Sequence, residues 1–192
     1  MKHLLTLLLL FGFACLPASA QTRDPQAVVE QALSDACFNG KLEEVRALVS
    51  AGVSVEAQDA DRRTPLMWAA FNGHSAVVGF LLEQGAKIDT KDTNGRTALM
   101  YASSGPFKET VELLLKKGAA VDVQGTLEGF TALMTAAAEG QLEVVRVLLV
   151  YGANPKLLDV DGDSAQSFAE QNGHTAVVDL LKNPPPRIGG KD

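Results

Sequence analysis

A period constrains this chain more than any other feature. Thr64-Pro65-Leu66 returns as Thr97-Ala98-Leu99, as Thr131-Ala132-Leu133 and, relaxed, as Ser164-Ala165-Gln166. The steps are 97−64 = 33, 131−97 = 34 and 164−131 = 33 residues. Each copy carries a leucine pair, Leu81-Leu82, Leu114-Leu115, Leu148-Leu149 and Leu180-Leu181, followed in the first three by Gly85, Gly118 and Gly152. Repeats of this length cannot bury their own apolar faces, so the chain must stack copies into a solenoid with one continuous core.

One copy shows what the unit is. Thr64 can cap a helix with its hydroxyl, and Pro65 suits the first helical position, where a missing N–H is no loss. Leu66, Ala69 and Ala70 share a face whose small residues let a neighbouring helix approach closely. Asn72-Gly73 ends that helix. Val77, Val78, Leu81 and Leu82 form the stripe of a second amphipathic helix, which Gly85 closes. The polar stretch that follows holds Asn94-Gly95, a hairpin signal. The expected fold is an all-α solenoid of helix-turn-helix units joined by loops.

The period near 33 with T-P-L-x-x-A resembles the ankyrin repeat, over about four fifths of the chain. The resemblance implies stacked ankyrin repeats with finger loops, in units at about 27–58, 59–91, 92–125, 126–158 and 159–183, the outer two being divergent caps. A flexible tail is expected at 184–192, after Pro184-Pro185-Pro186. The family's histidine after T-P-L is replaced by Met67, Met100, Met134 and Ser167, so its inter-repeat imidazole bonds should be missing. Pro106 stands where Gly73 and Gly140 stand, and Gly105 is the residue expected to take over that turn. The fourth unit has one extra residue near Gly125-Thr126 and lacks the aspartate of Asp59, Asp92 and Asp159, so its finger should differ in shape.

The start of the chain reads as a delivery signal. Met1-Lys2-His3 precedes an apolar run from Leu4 to Leu16, and Ala18-Ser19-Ala20 places small residues where a signal peptidase reads them. Cleavage after Ala20 is expected, with export to a bacterial periplasm. The run is shorter than the roughly 20 apolar residues of a spanning helix, and no later segment could span a bilayer. Lipid attachment through Cys15 is the alternative. After cleavage Cys37 stands alone, so no intrachain disulfide can form; by register it belongs to the buried face of helix one. The whole chain has 17 basic and 23 acidic residues, and loss of Lys2 takes the net charge from −6 to −7. Without a basic face, nucleic acid and anionic membrane surfaces are unsuited partners.

No catalytic constellation is evident. His74 and His174 occupy one register three units apart, some 30 Å at about 10 Å per layer, and cannot share a metal or a nucleophile. Each reads as a packing residue at the start of helix two. The segment Asp159-Val160-Asp161-Gly162-Asp163 to Glu170 has the carboxylate spacing of a calcium loop, which makes calcium or a small ligand the competing reading. Ser164 at the turn position and Gln166 at an apolar position count against it. The chain is read as a non-enzyme without cofactor or metal, acting as a monomer.

Function must then come from surface. In ankyrin-repeat proteins the partner usually lies on the concave face, made by first helices and fingertips. Carried over by register, that face holds Asp35, Phe38, Trp68, Phe71, Asn72, Tyr101, Ser104, Thr135, Ala138 and Glu139, with Asp61, Arg63, Asn94, Arg96, Glu128 and Phe130 from the fingers. Aromatics and arginine are what binding hot spots are made of. The resemblance therefore implies a protein-interaction module that holds a periplasmic or exported protein in this groove.

Overall fold

The computed structural model describes residues 24–188. The leader read at 1–20, with Cys15, lies outside the described residues, as does the end of the tail at 189–192. The described chain forms α1 (Pro25–Phe38), α2 (Leu42–Ser50), α3 (Pro65–Phe71), α4 (Ser75–Glu83), α5 (Ala98–Ser103), α6 (Lys108–Lys116), α7 (Ala132–Ala138), α8 (Leu142–Val150), α9 (Ala165–Gln171) and α10 (Thr175–Lys182). First helices α1, α3, α5, α7 and α9 pack on one another in one row, and second helices α2, α4, α6, α8 and α10 in another. The result is the all-α solenoid that the period dictates. Asn94-Gly95 forms a turn between Asp92 and Arg96, with no strand beside it among the described residues.

The helix starts follow from the repeated Thr or Ser. Thr64 Oγ1 accepts from the Met67 N–H at 3.4 Å, Thr131 Oγ1 from Met134 at 3.2 Å, and Ser164 Oγ from Ser167 at 3.1 Å. Met67 turns its sulfur back to accept the Thr64 N–H at 3.4 Å, closing a box with a weak acceptor. Thr97 breaks the pattern: its hydroxyl is buried and makes no hydrogen bond. An orphaned buried hydroxyl is destabilising by about 1–3 kcal/mol, and α5 is the shortest first helix.

The core is a column of repeated positions. Leu66, Leu99 and Leu133 are each 1% exposed, while Ala69, Ala70, Ala102, Ala136 and Ala137 leave room for the next helix. Val77, Leu81, Val111, Leu114, Val144 and Leu148 line the second row and are almost wholly buried. Truncating any of these leucines to alanine is worth roughly 2–5 kcal/mol of stability. Cys37 sits on the buried face as its register predicts, and burial pushes its thiol up to about 12.

Neighbouring units are stitched by imidazoles after all, although from another position. His74 Nε2 lies 3.0 Å from the Phe38 carbonyl and His174 Nε2 3.0 Å from the Ala138 carbonyl, each ring resting on the glycine of the preceding turn, Gly40 and Gly140. Asn72 and Asn172 donate to the same two carbonyls. Phe107 takes the histidine's place in the third unit and lays its ring on Gly73. Gly105 does not supply the left-handed turn expected of it. A Cβ there would come within 2.3 Å of the Phe107 ring, so the glycine serves close approach instead. Beyond α10, the Ile188 N–H donates to the Val150 carbonyl at 2.7 Å, which brings the segment after the prolines back to α8.

Candidate functional site: the face shared by first helices and fingers

Three fingers are built on one turn. In each, an aspartate carboxylate accepts the N–H groups two and four residues on: Asp59 from Asp61 and Arg63, Asp92 from Asn94 and Arg96, Asp159 from Asp161 and Asp163, all at 2.8–3.0 Å. The Asp159-Asp161-Asp163 spacing thus serves a turn that recurs where no such triplet exists. Glu170 lies on α9, accepts from Gln166 Nε2 and faces Lys182 at 3.8 Å. No group of three histidine, cysteine or acidic side chains converges among the described residues. The fourth finger does differ: its closing bond runs from Gly125 N–H to the Phe130 carbonyl, one residue longer than its neighbours. Thr93, Thr126 and Val160 N–H groups donate to carbonyls of the preceding finger, at Asp61, Asn94 and Glu128.

The turn also aims arginines at aromatics. Arg63 Nε donates to Asp59 at 2.8 Å and its Nη2 to Asp61 at 2.8 Å, placing the guanidinium 4.4 Å above the Trp68 ring. Arg96 Nε donates to Asp92 at 3.1 Å and lies 5.0 Å above Tyr101. Charge over a ring face is attractive, by about 0.5–1 kcal/mol where water has access. Phe38 meets the rings of Trp68 at 5.7 Å and Phe71 at 6.3 Å, and Phe71 meets that of Tyr101 at 6.1 Å. Of these, Phe38 and Phe71 are the exposed members, each 38% accessible; Trp68 is half-buried.

Tyr101 lies deeper than its register alone predicts. It is 9% exposed, and its hydroxyl donates to Asp92 Oδ2 at 2.8 Å. Burial first, then the bond to Asp92, push the phenol up to about 12. Burial works against the Asp92 charge, but the Arg96 N–H, the Tyr101 hydroxyl and the Arg96 side chain together hold its carboxyl below the usual range. Trp68 in the preceding unit has no hydroxyl to offer Asp59. The tyrosine is therefore a buried brace of the third finger.

The remaining expected residues divide likewise. Asn72 is engaged with the Phe38 carbonyl. The Ser104 hydroxyl donates to the Tyr101 carbonyl and the Thr135 hydroxyl to the Thr131 carbonyl, both turned back onto their own helices. Asp35 accepts from Gln31 Nε2. Asp61 and Glu139 are exposed and Ala138 half-buried at the end of α7. Phe130 contacts Phe168 of the next unit at 4.9 Å. Between the two aromatic groups an open hollow of about 300 Å³ is lined by Phe71, Asn94, Arg96, Tyr101, Ser104, Glu128, Phe130 and Thr135, together with Met100, Gly125 and Leu127. These last three are absent from the face drawn by register. The extra residue of the fourth finger, where Leu127 is 64% exposed, is the sequence signal that could have found Gly125 and Leu127.

Stacked helix pairs, asparagine and histidine stitches and turn-built fingers define a repeat solenoid. A family model described as ankyrin repeats, in three copies, matches residues 2–92 and 87–159, and the chain belongs to the ankyrin-repeat family. Such repeats are in general protein–protein interaction modules. The chain is 54% identical over 48 residues to ankyrin repeat family A protein 2 of Mus musculus, covering 25% of this chain and 15% of that protein. The Homo sapiens protein of that name is 53% identical over 47 residues, 24% and 15% of the two chains. Notch-regulated ankyrin repeat-containing protein B of Danio rerio is 41% identical over 51 residues, 27% of this chain and 46% of that one. The chain thus spans from 15% to less than half of the length of these relatives, all of them animal proteins.

Proposed function

We propose that this chain is a non-enzymatic protein-binding module, a monomer that holds a partner protein against its first helices and fingers. The observation that carries the reading is the paired exposure of Phe38 and Phe71 beside Arg63 and Arg96, aromatic and guanidinium surface presented together on an ordered frame. Such residues dominate binding energy where partners exclude water. Capture from cell extract, read by mass spectrometry, tests it. The captured protein should be lost with Phe71→Ala and retained with Glu83→Ala on a second helix; equal capture by both variants would sink the reading.

The leader supports export, with a protein of the periplasm or secreted space as the partner. That part rests on residues 1–20 alone, since the animal relatives lend no support to a bacterial origin. N-terminal sequencing of the protein from fractionated cells decides it. A start at Gln21 supports export, a start at Cys15 would mean lipid attachment, and an intact Met1 in the cytoplasm would overturn both.

A further inference from the structure

The binding face is polarised in shape and in charge, and both changes fall at the seam between the third and fourth units. Aromatic side chains run from Phe38 to Tyr101 and resume at Phe130 and Phe168. Between them the same register positions hold Ser104 and Thr135, which leaves the hollow. Its two floor hydroxyls, of Ser104 and Thr135, are satisfied by their own helices, so an apolar occupant covers no orphaned hydroxyl there, while the charged groups, Arg96 and Glu128, stand among the other lining residues. Phe71, Phe130 and Leu127 supply apolar walls.

Charge changes across the same seam. In the fingers 59–63 and 92–96 acid and base balance, 2 against 2 and 1 against 1, but Asp59 and Asp92 are drawn inward by their turns. In 92–96 what faces outward is arginine, whereas in 59–63 the exposed Asp61 pairs with Arg63 at 2.8 Å. Arg96 engages a carboxylate through Nε only; its side chain is 44% exposed, and the terminal nitrogens have no carboxylate partner among the described residues. Beyond the seam, residues 125–130 carry Glu128 and residues 159–163 carry Asp159, Asp161 and Asp163, with no lysine or arginine in either finger. Glu128 and Asp161 are exposed and form no ion pair among the described residues.

We propose that the hollow receives one apolar side chain, of leucine or phenylalanine size, from an extended partner segment with a carboxylate toward Arg96 and lysines or arginines toward the last two fingers. This rests on the reading of the face as a binding surface, and adds the partner's chemistry. Opposed charges across an interface set which segment docks and in which register, and do so less at high salt.

The test uses the full chain and fluorescent synthetic heptapeptides with a central leucine. One flank carries two glutamates and the other two lysines, in both sequence orders; controls carry glutamates or lysines on both flanks, or serine at the centre. The better mixed-charge peptide should bind at least ~5-fold tighter than either uniform one, an advantage that shrinks between about 0.05 and 0.5 M salt. Serine at the centre should weaken it ~10-fold. Glu128→Lys with Asp161→Lys should turn the preference toward the all-glutamate peptide. A mixed peptide that binds no tighter than the all-glutamate one, or a preference unmoved by the two lysines, would overturn the proposal. If the peptides show no order while Phe71→Ala still abolishes capture of the protein partner, the binding face stands and this inference falls. Capture indifferent to Phe71→Ala would remove the face itself.

Discussion

Asp92 concentrates more interactions than any other polar residue of the fingers. Its side chain is fully buried and accepts from two backbone N–H groups, one guanidinium and one phenol. Because the folded carboxyl is held below its ordinary value of 3.8, its contribution is present above that pH and is lost as pH falls through the folded value. Urea melts from pH 6 down to about pH 2 should show a declining midpoint, and Asp92→Asn, less stable by roughly 1–3 kcal/mol at neutral pH, should flatten the decline. An unchanged acid limb in the variant would show that other carboxylates set it. Tyr101 has the opposite sign. Its phenol is raised from 10.0 to about 12, so its contribution is intact below pH 10 and is lost as pH rises through the folded value. Tyr101→Phe should therefore be less stable by ~1 kcal/mol at pH 7 and lose stability less steeply between pH 10 and 12.

At the scale of elements, the stitch between units depends on two residues that each require the other. Gly140 has φ +67°, and a Cβ there would fall 2.6 Å from the His174 ring, which in turn reaches the Ala138 carbonyl. Gly140→Ala would impose left-handed strain of roughly 1–2 kcal/mol and displace the imidazole as well. His174→Ala removes only the stitch. The double variant should be less destabilised than the two single losses summed, with a coupling of about 1 kcal/mol in denaturant melts. Full additivity would mean that the ring moves aside freely. Gly152→Ala is the control, since φ is +94° there but nothing lies within 4 Å of the added carbon.

For the whole molecule, the stitches are uneven. Units one and two share the His74 and Asn72 bonds, and units four and five share those of His174 and Asn172. The turn at Pro106 accepts no such bond, and units three and four are joined instead by Thr126 N–H to the Asn94 carbonyl, Asn154 N–H to Asp122 Oδ1 at 2.9 Å and Gln124 Nε2 to the Leu158 carbonyl at 2.9 Å. Stability in such arrays is a sum over units and nearest-neighbour interfaces, and two units seldom stand alone. Opening should thus begin at the seam and take α7 to α10 together. Native-state hydrogen exchange at low denaturant should find the amides of α7 and α8 less protected than those of α3 and α4. The reverse order would contradict the uneven stitching. The same seam holds the hollow, so occupation by a partner segment should raise protection in α7 and α8 first.

Much of this was legible in the chain because a repeat reports its own register. Thr64, Thr97, Thr131 and Ser164 place the helix starts, the alanines the close approaches, and the extra residue near Gly125 the odd finger, since each is a local property that recurs at a fixed spacing. The same register brought Trp68, Tyr101, Arg63 and Arg96 onto one face. Depth was not legible. Whether an aromatic on that face is open or braced depends on what its tip can reach, and only the third unit places Asp92 beneath a phenol. Gly105 was expected to turn the chain and instead makes room for Phe107, a requirement set by a side chain packed across the turn. The hollow likewise arises from absences in two neighbouring units, at Ser104 and Thr135, which become one space only when stacking sets them side by side. The sequence by itself determined the period, the helices and the face; packing between units decided which groups on that face remain free to meet a partner, because burial and hydrogen-bond partners are properties of neighbours.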